Sequence, residues 1–183
     1  SDKSYLGRLA DRGVPVPPTV WTQGVTADQV AAAFAQTGAP QLIVKPTVSG
    51  GAWRTLRLSP GQALVDPPVG RAMIQPYLPT IETEGETSLL FFGGRLSHVV
   101  NKRPVDGDFR IQVQFGGLYA SLAEPPSGAL ATAERVLAAI DEDLLYARID
   151  LAPDGTGGWL LMEAELIEPD FYLAHDPRNG AGF

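Results

Sequence analysis

Residues 146–168, YARIDLAPDGTGGWLLMEAELIE, decide the reading of this 183-residue chain. Two apolar-polar alternating runs flank DGTGG, a stretch rich in residues that accept positive φ, so the segment predicts a β-hairpin. With the turn centred between Thr156 and Gly157, Ile149 opposes Ala164, Leu151 opposes Met162 and Ala147 opposes Leu166, giving one wholly apolar face. On the other face Asp150 opposes Glu163, and Arg148 opposes Glu165. A slip of one residue would mix the two faces, so the register is well specified. Opposed side chains stand ~5 Å apart at Cβ, with Glu165 a diagonal neighbour of Asp150. Three carboxylates gathered this way repel one another unless a cation compensates them. Oxygen ligands suit Mg²⁺, which makes Asp150, Glu163 and Glu165 candidate metal ligands. The alternative is a solvated face with an Arg148–Glu165 pair worth less than ~1 kcal/mol.

Upstream lies a second hairpin: TSLLFF from Thr87, a turn at Gly93–Gly94, then RLSHVVNKR. Between the hairpins run an irregular Arg-bearing segment and a helix starting near Ser127, with Leu130, Val136, Leu137 and Ile140 as its apolar face. Further back, QLIVKP, Leu56–Leu58 and AMIQPYL predict strands, the last leading into the polar stretch PTIETEGE. Thr26 and Gln29 form a capping box that opens a helix closed by Gly38. Residues 2–12 predict another helix, with Leu6 and Leu9 on one side and Gly13 as its stop, and VPVPPTVW after it is extended. Helices mixed with hairpins imply an α+β chain with largely antiparallel sheets.

Lys45 ends an apolar strand and is followed by the loop TVSGGAWRT. A strand-terminal lysine beside a loop of small residues suits phosphate, with backbone N–H groups on the oxygens and an ammonium for charge. A plain turn is the competing reading of the two adjacent glycines. There is no GxxxxGK[ST] motif, so this is not a Walker loop. Of the other singled-out residues, His98 alternates with apolar neighbours and reads as structural, and His175 as incidental. Trp53 suits a lid contact or surface packing alike, and Glu168, followed by a proline, an end-of-strand role.

Composition bounds the partners. A net charge of −7 argues against a general nucleic-acid binder. No apolar run reaches the roughly 18 residues of a membrane span. The absence of cysteine excludes disulfides, cysteine–zinc sites and thiol nucleophiles, and accords with a cytoplasmic location. Lysine is scarce, at Lys3, Lys45 and Lys102 against 11 arginines.

LIVKPTVSGGAWRT, MIQPYLPTIETEGETSLLFFGG and ARIDLAPDGTGGWLLMEAELIEP together resemble the ATP-grasp superfamily, and within it the glutathione synthetase-like carboxylate–amine ligases. The resemblance runs in order from Lys3 to about Leu173, and RxDL…LLMExEL is its most specific element. It implies an ATP-grasp fold of two α+β subdomains, residues 1–77 and 78–183, gripping ATP between them. It implies Lys3 and Lys45 as phosphate contacts, Ser49, Gly50 and Gly51 as the loop over the triphosphate, and Gln75, Tyr77 and Leu78 as the hinge that hydrogen-bonds adenine. Glu86, ahead of Glu82, would bind ribose. Asp150, Glu163 and Glu165 would hold one or two Mg²⁺, with Mn²⁺ as a substitute; the third position is commonly Asn in relatives. Lys102, Arg103 and Arg110 would neutralise the transferred phosphoryl group. Arg110 is favoured, because Lys102 and Arg103 at a hairpin end equally suit solvated surface.

The reaction so implied has two steps, in which a carboxylate attacks the γ-phosphorus of ATP and an amine then displaces phosphate from the acyl phosphate. Positioning and charge neutralisation supply most of such catalysis, which suits a chain without a convincing nucleophile or histidine base. Small-molecule carboxylates and amines are the expected substrates, among them an amino-acid derivative closed into a ring as in antibiotic biosynthesis, and a homodimer is allowed for. Relatives carry an amino-terminal substrate domain before the first lysine. The chain is therefore expected to be a piece of a longer protein, with Ser1 a cloning remnant. The alternatives are an ATP-binding module without turnover, catalytically silent or regulatory, and an α+β interaction domain with no ligand.

Overall fold

The computed structural model describes residues 2–181; Ser1, read above as a cloning remnant, and the last two residues of the second expected subdomain lie outside the described residues. The chain divides into two compact units, one comprising the stretch up to Gly7 with Pro17–Tyr77, the other Arg8–Val16 with Leu78 onward. Arg8–Val16, which the sequence reading places in the first subdomain, groups with the second unit. There Arg12 Nη1 donates to Ala139 O at 2.5 Å and Leu161 N–H to Pro15 O at 2.8 Å. Helix α1 (Tyr5–Asp11) precedes Gly13, whose φ of 83° lets the chain leave the helix.

The first unit is a four-stranded antiparallel sheet in the order β1 (Val20–Gln23), β4 (Arg71–Pro76), β2 (Leu42–Pro46), β3 (Leu56–Leu58). β1 lies in the stretch expected only to be extended. Helix α2 (Ala27–Thr37) has the capping box read from the sequence: Gln29 N–H donates to Thr26 Oγ1, Thr26 N–H donates to Gln29 Oε1, and Gly38 closes the helix at φ 62°. Val30 and Ala33 of this helix meet Leu42, Val44, Leu58, Ala72 and Ile74 in the core. Leu42, Val44 and Pro46 are buried while Ile43 and Lys45 between them are half-buried, the period-two pattern that sends Lys45 to the face away from α2.

The second unit is a five-stranded antiparallel sheet, ordered β7 (Leu118–Leu122), β6 (Arg95–Arg103), β5 (Glu86–Phe92), β8 (Tyr146–Pro153), β9 (Trp159–Glu165). Helix α4 (Ala129–Ile140) packs on β8 and β9. It buries Ala129, Ala133 and Val136, whereas Leu130, Leu137 and Ile140 of the expected apolar face are half-buried. The polar stretch after Leu78 contains a single turn of helix, α3 (Thr80–Thr83), and the irregular Arg-bearing segment contains the edge strand β7.

Each hairpin of this unit has one bulge, and the bulges set which side chains meet. In β8–β9 the pairs Arg148–Glu165, Ile149–Ala164 and Asp150–Glu163 stand as the sequence predicts. Beyond Asp150 the register shifts, so Leu151 opposes Leu161 instead of Met162, and β9 ends at Glu165, leaving the expected Ala147–Leu166 pair unmade. The cause is a tighter turn. Asp154 Oδ1 accepts from Thr156 N–H at 2.7 Å and Gly158 N–H at 2.9 Å, closing the strands on Pro153 and Trp159 with Met162 as the extra residue. A Cβ at Gly158 would fall 2.3 Å from Asp154 Oδ2, so a larger residue there would have to displace that carboxylate. In β5–β6 the extra residue is Ser97, and past it Glu86 faces Lys102.

Candidate active site

Strand alternation puts Glu86 and Ser88 of β5, Lys102 of β6, Arg148 and Asp150 of β8, and Glu163 and Glu165 of β9 on one face of the second sheet. These residues form a row of alternating charge. Lys102 Nζ lies 2.7 Å from Glu86 Oε1 and 3.3 Å from Asp150 Oδ1. Arg148 Nε donates to both oxygens of Asp150 at 3.1 and 3.2 Å, and Nη2 reaches Asp150 Oδ2 at 3.1 Å and Glu165 Oε1 at 2.9 Å. Ser88 Oγ donates to Asp150 Oδ1 at 2.5 Å. The row is not the solvated face that the sequence left open, since Lys102 and Asp150 are each 2% exposed and Arg148 6%. It is covered by the segment after β9, where Asp170 O accepts from Arg148 Nη1 at 3.1 Å. The Tyr172 ring lies 5.2 Å from the Arg148 guanidinium carbon and 5.6 Å from Lys102 Nζ.

The electrostatics follow from who shares whom. Burial works against the Lys102 ammonium, but Asp150 and Glu86 outweigh it and hold its pKa above the usual lysine value. Burial likewise opposes charge on Asp150, yet Lys102 and Arg148 together keep its carboxyl below the usual range. Glu86 goes the other way: burial pushes it up, and Lys102, shared with Asp150, offsets this only in part.

Beside the charged row the same face turns apolar. Ala152, two residues beyond Asp150, packs with Ile81 and Ile111, and Leu78 and Met162 border this cluster. Met162 reaches it because it is the bulge residue. Sequence reasoning missed this seat and the role of Arg148. The seat depends on a bulge, but Arg148 stands two residues from Asp150 in a strand, a spacing that by itself puts the pair on one face.

In the first unit the structure joins Lys3 to the glycine loop. Lys3 N–H donates to Thr47 O at 2.7 Å, Lys3 Nζ donates to Ser49 O at 3.5 Å, and Asp2 bridges to Val48. Lys45 projects from β2, where it pairs with Met73. Gly50 and Gly51 form the exposed crest of the loop, with Trp53 59% exposed beneath the Arg54 guanidinium. At the hinge, Gln75 Nε2 donates to Thr19 Oγ1 at 2.9 Å. Tyr77 N–H is used within the unit, donating to Gln41 O at 2.9 Å, and the Tyr77 ring carries the Arg57 guanidinium at 3.8 Å. Leu78 O accepts from Ile81 N–H as the chain enters α3.

The remaining basic candidates are engaged elsewhere. Arg103 Nε donates to Asn101 Oδ1 at 3.1 Å on the exposed strand end. Arg110, the favoured one, makes a bidentate pair with Asp108 and stacks 3.8 Å from the Phe115 ring. Lys102, read as equally suited to solvent, is buried instead, because the Ser97 bulge turns it onto the charged face. His98 is buried, with Nε2 2.8 Å from Phe171 O and Nδ1 3.0 Å from Ser97 Oγ.

The expected ligand set fits a metal in part. Among the described residues no group of three His, Cys, Asp or Glu is disposed to hold an ion. Both oxygens of Asp150 are committed to Ser88, Lys102 and Arg148. Glu163 and Glu165 are half-buried oxygen donors two residues apart on β9, and Mg²⁺ commonly takes one or two protein carboxylates beside phosphate oxygens. Among the described residues no helix is long and apolar enough to cross a membrane.

No protein-family model matches the chain. The cycloserine biosynthesis protein DcsG of Streptomyces lavendulae is 30% identical over 204 residues, an alignment covering 100% of this chain and 67% of that protein. The solved structure of D-cycloserine synthetase DcsG superposes with a TM-score of 0.81 at 27% identity, covering 99% of this chain and 66% of that one. The ATP-grasp ligase PsnB, solved with a phosphomimetic variant of its minimal precursor, Mg and ADP, gives 0.68 at 19% identity, over 93% and 51%. Two antiparallel sheets with this connectivity make an α+β fold of the ATP-grasp type. The chain belongs to the ATP-grasp ligase family, and it spans about two thirds of the DcsG chain and half of PsnB.

Proposed function

We propose that this chain is the nucleotide-binding portion of an ATP- and Mg²⁺-dependent carboxylate–amine ligase working through an acyl phosphate. The observation that carries the reading is the buried row of alternating charge on the second sheet, in a chain 30% identical to a cycloserine biosynthesis protein. A carboxylate oxygen attacks the γ-phosphorus, ADP departs and an acyl phosphate forms. An amine nitrogen then attacks the carbonyl carbon and expels phosphate. Kinship with D-cycloserine synthetase favours an amino-acid derivative that carries both groups and closes on itself.

In this reading Lys3, Lys45 and the Ser49–Gly51 loop take the phosphates, and the ammonium and amide donors match anionic oxygens. Leu78, Ile81, Ile111, Ala152 and Met162 offer adenine an apolar seat. Tyr77 N–H is already donated to Gln41 O, so adenine recognition falls to the neighbouring hinge groups of Gln75 and Leu78. Lys102 and Arg148 face the developing negative charge, with Arg103 and Arg110 outside the row. Glu86 reaches ribose by giving up part of its pairing with Lys102. Glu163 and Glu165 would hold Mg²⁺, which supplies charge neutralisation on the phosphates when bound.

Thermal melting with ATP, ADP and GTP, each with and without Mg²⁺, tests the reading. A ligand of the native state at 100 times its Kd adds about 2.7 kcal/mol. A Mg²⁺-dependent rise with adenine nucleotides is expected, and ADP release stimulated by a carboxylate separates a ligase from a silent ATP-binding module. No rise with any nucleotide in the full-length protein would overturn it.

A further inference from the structure

The segment after β9 is bound to the second sheet at both ends, and His98 stands at the junction. His98 is buried on the same face of β6 as Lys102, two alternations away. Its Nε2 lies 2.8 Å from Phe171 O, and a carbonyl oxygen only accepts, so a ring proton sits on Nε2. Nδ1 is met at 3.0 Å by the hydroxyl of Ser97, the bulge residue. Arg178 Nη2 donates to Ser97 O at 3.0 Å and to Ser97 Oγ at 2.9 Å, which leaves the hydroxyl proton for the imidazole. The network Arg178–Ser97–His98–Phe171 thus begins and ends on one segment. Along the same segment the Ser121 hydroxyl donates to His175 O, and the buried Asp176 carboxylate accepts from Arg178 N–H at 3.0 Å and Gly180 N–H at 2.9 Å.

What this network holds is the cover of the charged row. Phe171 stands between Asp170, whose carbonyl accepts from Arg148 Nη1, and Tyr172, whose ring covers Arg148 and Lys102. The backbone there is strained, since Glu168 and Tyr172 have φ of 49° and 50°, and such conformations persist only where the surroundings over-determine them. The Phe171 ring packs on Phe92 and Tyr146, with centroids 5.2 and 5.1 Å away, but ring packing leaves the direction of the main chain open; the bond from His98 fixes it. We infer that His98 is a positioning residue: through Phe171 O it sets the Asp170–Tyr172 stretch over Lys102 and Arg148 and so keeps both cations oriented for anionic substrate. The identity of that anion rests on the ligase reading, whereas the hold on the segment stands without it. The role goes beyond the structural one that alternation with apolar neighbours suggests, because an apolar side chain of similar size could fill the space of the imidazole but could not hold Phe171 O.

The test makes two measurements on the full-length protein. Brief acetylation by acetic anhydride, followed by mass spectrometry, shows whether Lys102 is covered, with Lys3 and Lys45 of the first unit as internal references. Calorimetry then compares the affinity for ADP with that for the non-hydrolysable ATP analogue AMP-PNP, which alone carries the γ-phosphoryl group that the two cations face in the ligase reading. His98→Leu is expected to raise Lys102 labelling several-fold while Lys3 and Lys45 label as in wild type. It should also lower AMP-PNP affinity about tenfold, the scale of a lost charge-assisted contact, and leave ADP affinity unchanged. His98→Gln, whose side-chain amide can still donate to Phe171 O, should restore both. Wild-type protection of Lys102 in His98→Leu, equal losses for the two nucleotides, or a glutamine that restores nothing would reduce His98 to packing and overturn the inference. Should His98→Leu fail to fold, Ser97→Ala decides: it removes the hydroxyl shared by His98 and Arg178, Lys102 should label faster, and undiminished protection overturns the inference. Wild-type protein that binds neither nucleotide would instead overturn the ligase reading, and the labelling comparison would then decide the role of His98 by itself.

Discussion

The charged row of the second sheet and the glycine loop of the first unit both consist of groups suited to nucleotide phosphates, yet they are built in opposite ways. In the row Glu86, Lys102, Asp150 and Arg148 are buried and paired, and Arg148 holds the half-buried Glu165 at the sheet edge. In the loop, Gly50 would meet nothing within 4 Å if it carried a Cβ, and Ala52 and Arg54 sit at φ values of 57° and 52° that L residues rarely take. The row is preorganised by its own counter-ions, so its geometry precedes the ligand. The crest of the loop at Gly50 and Gly51 is exposed. Substitutions should therefore separate the two, with fold stability responding in the row and nucleotide affinity in the loop.

The largest effect is expected from Lys102→Met. It leaves Glu86 and Asp150 buried without their shared cation, and removing one partner of a buried pair costs ~3–5 kcal/mol. Urea unfolding at neutral pH measures it, and a loss under ~1 kcal/mol would mean that the row is as open as the loop.

Asp150→Asn should cost a comparable amount at neutral pH, and here pH sharpens the contrast. The folded pKa of Asp150 is depressed, so its contribution is present above the ordinary carboxylate value of ~3.9 and is lost as pH falls through the folded value. Glu86 is raised, so its contribution is present below the ordinary value and is lost as pH rises through the folded one. The stability gap between wild type and Asp150→Asn should close in acid, and Glu86→Gln should cost less than Asp150→Asn at pH 7. Melting curves of the three proteins from neutral pH into acid check both statements; a gap independent of pH would remove the charge of Asp150 as the cause.

Crossing to the first unit, Lys45→Ala should leave the melting temperature nearly unchanged and weaken ATP binding by ~1–3 kcal/mol, the range of charge-assisted contacts. Calorimetry gives the dissociation constant, and an unaltered value would take Lys45 out of the site.

How far these regions were legible in the sequence follows from the same contrast. The alternation in ARIDLA and LLMEAE is strong enough to pair Asp150 with Glu163 and Arg148 with Glu165, because a slipped register would bury charge against Ile149 and Ala164. The capping box at Thr26 is equally local and equally visible. What stayed hidden depends on bulges and on distant strands. Nothing within NKR reveals that the Ser97 bulge turns Lys102 inward to face Glu86, so a basic strand end looks solvated. Nor does the turn sequence reveal that Asp154 tightens it and expels Met162 from the ladder. β7 was missed because LYASL is largely exposed and carries no clean alternation.

The smallest effects belong to the loop crest, and there two adjacent glycines should part company. Gly51 has φ 58°, a left-handed backbone in which any Cβ is strained, so Gly51→Ala should cost about 1 kcal/mol of stability. Gly50 has open space around its missing Cβ and no left-handed φ, so Gly50→Ala should change stability by no more than ~0.5 kcal/mol, like other surface substitutions. If Gly50 lies over the triphosphate, the added methyl must nonetheless keep the backbone N–H groups from closing on phosphate oxygens, and ATP affinity should fall in a variant whose melting curve is that of the wild type. Equal affinities for Gly50→Ala and wild type, measured by calorimetry, would make the paired glycines a plain turn and leave phosphate binding in this unit to Lys3 and Lys45.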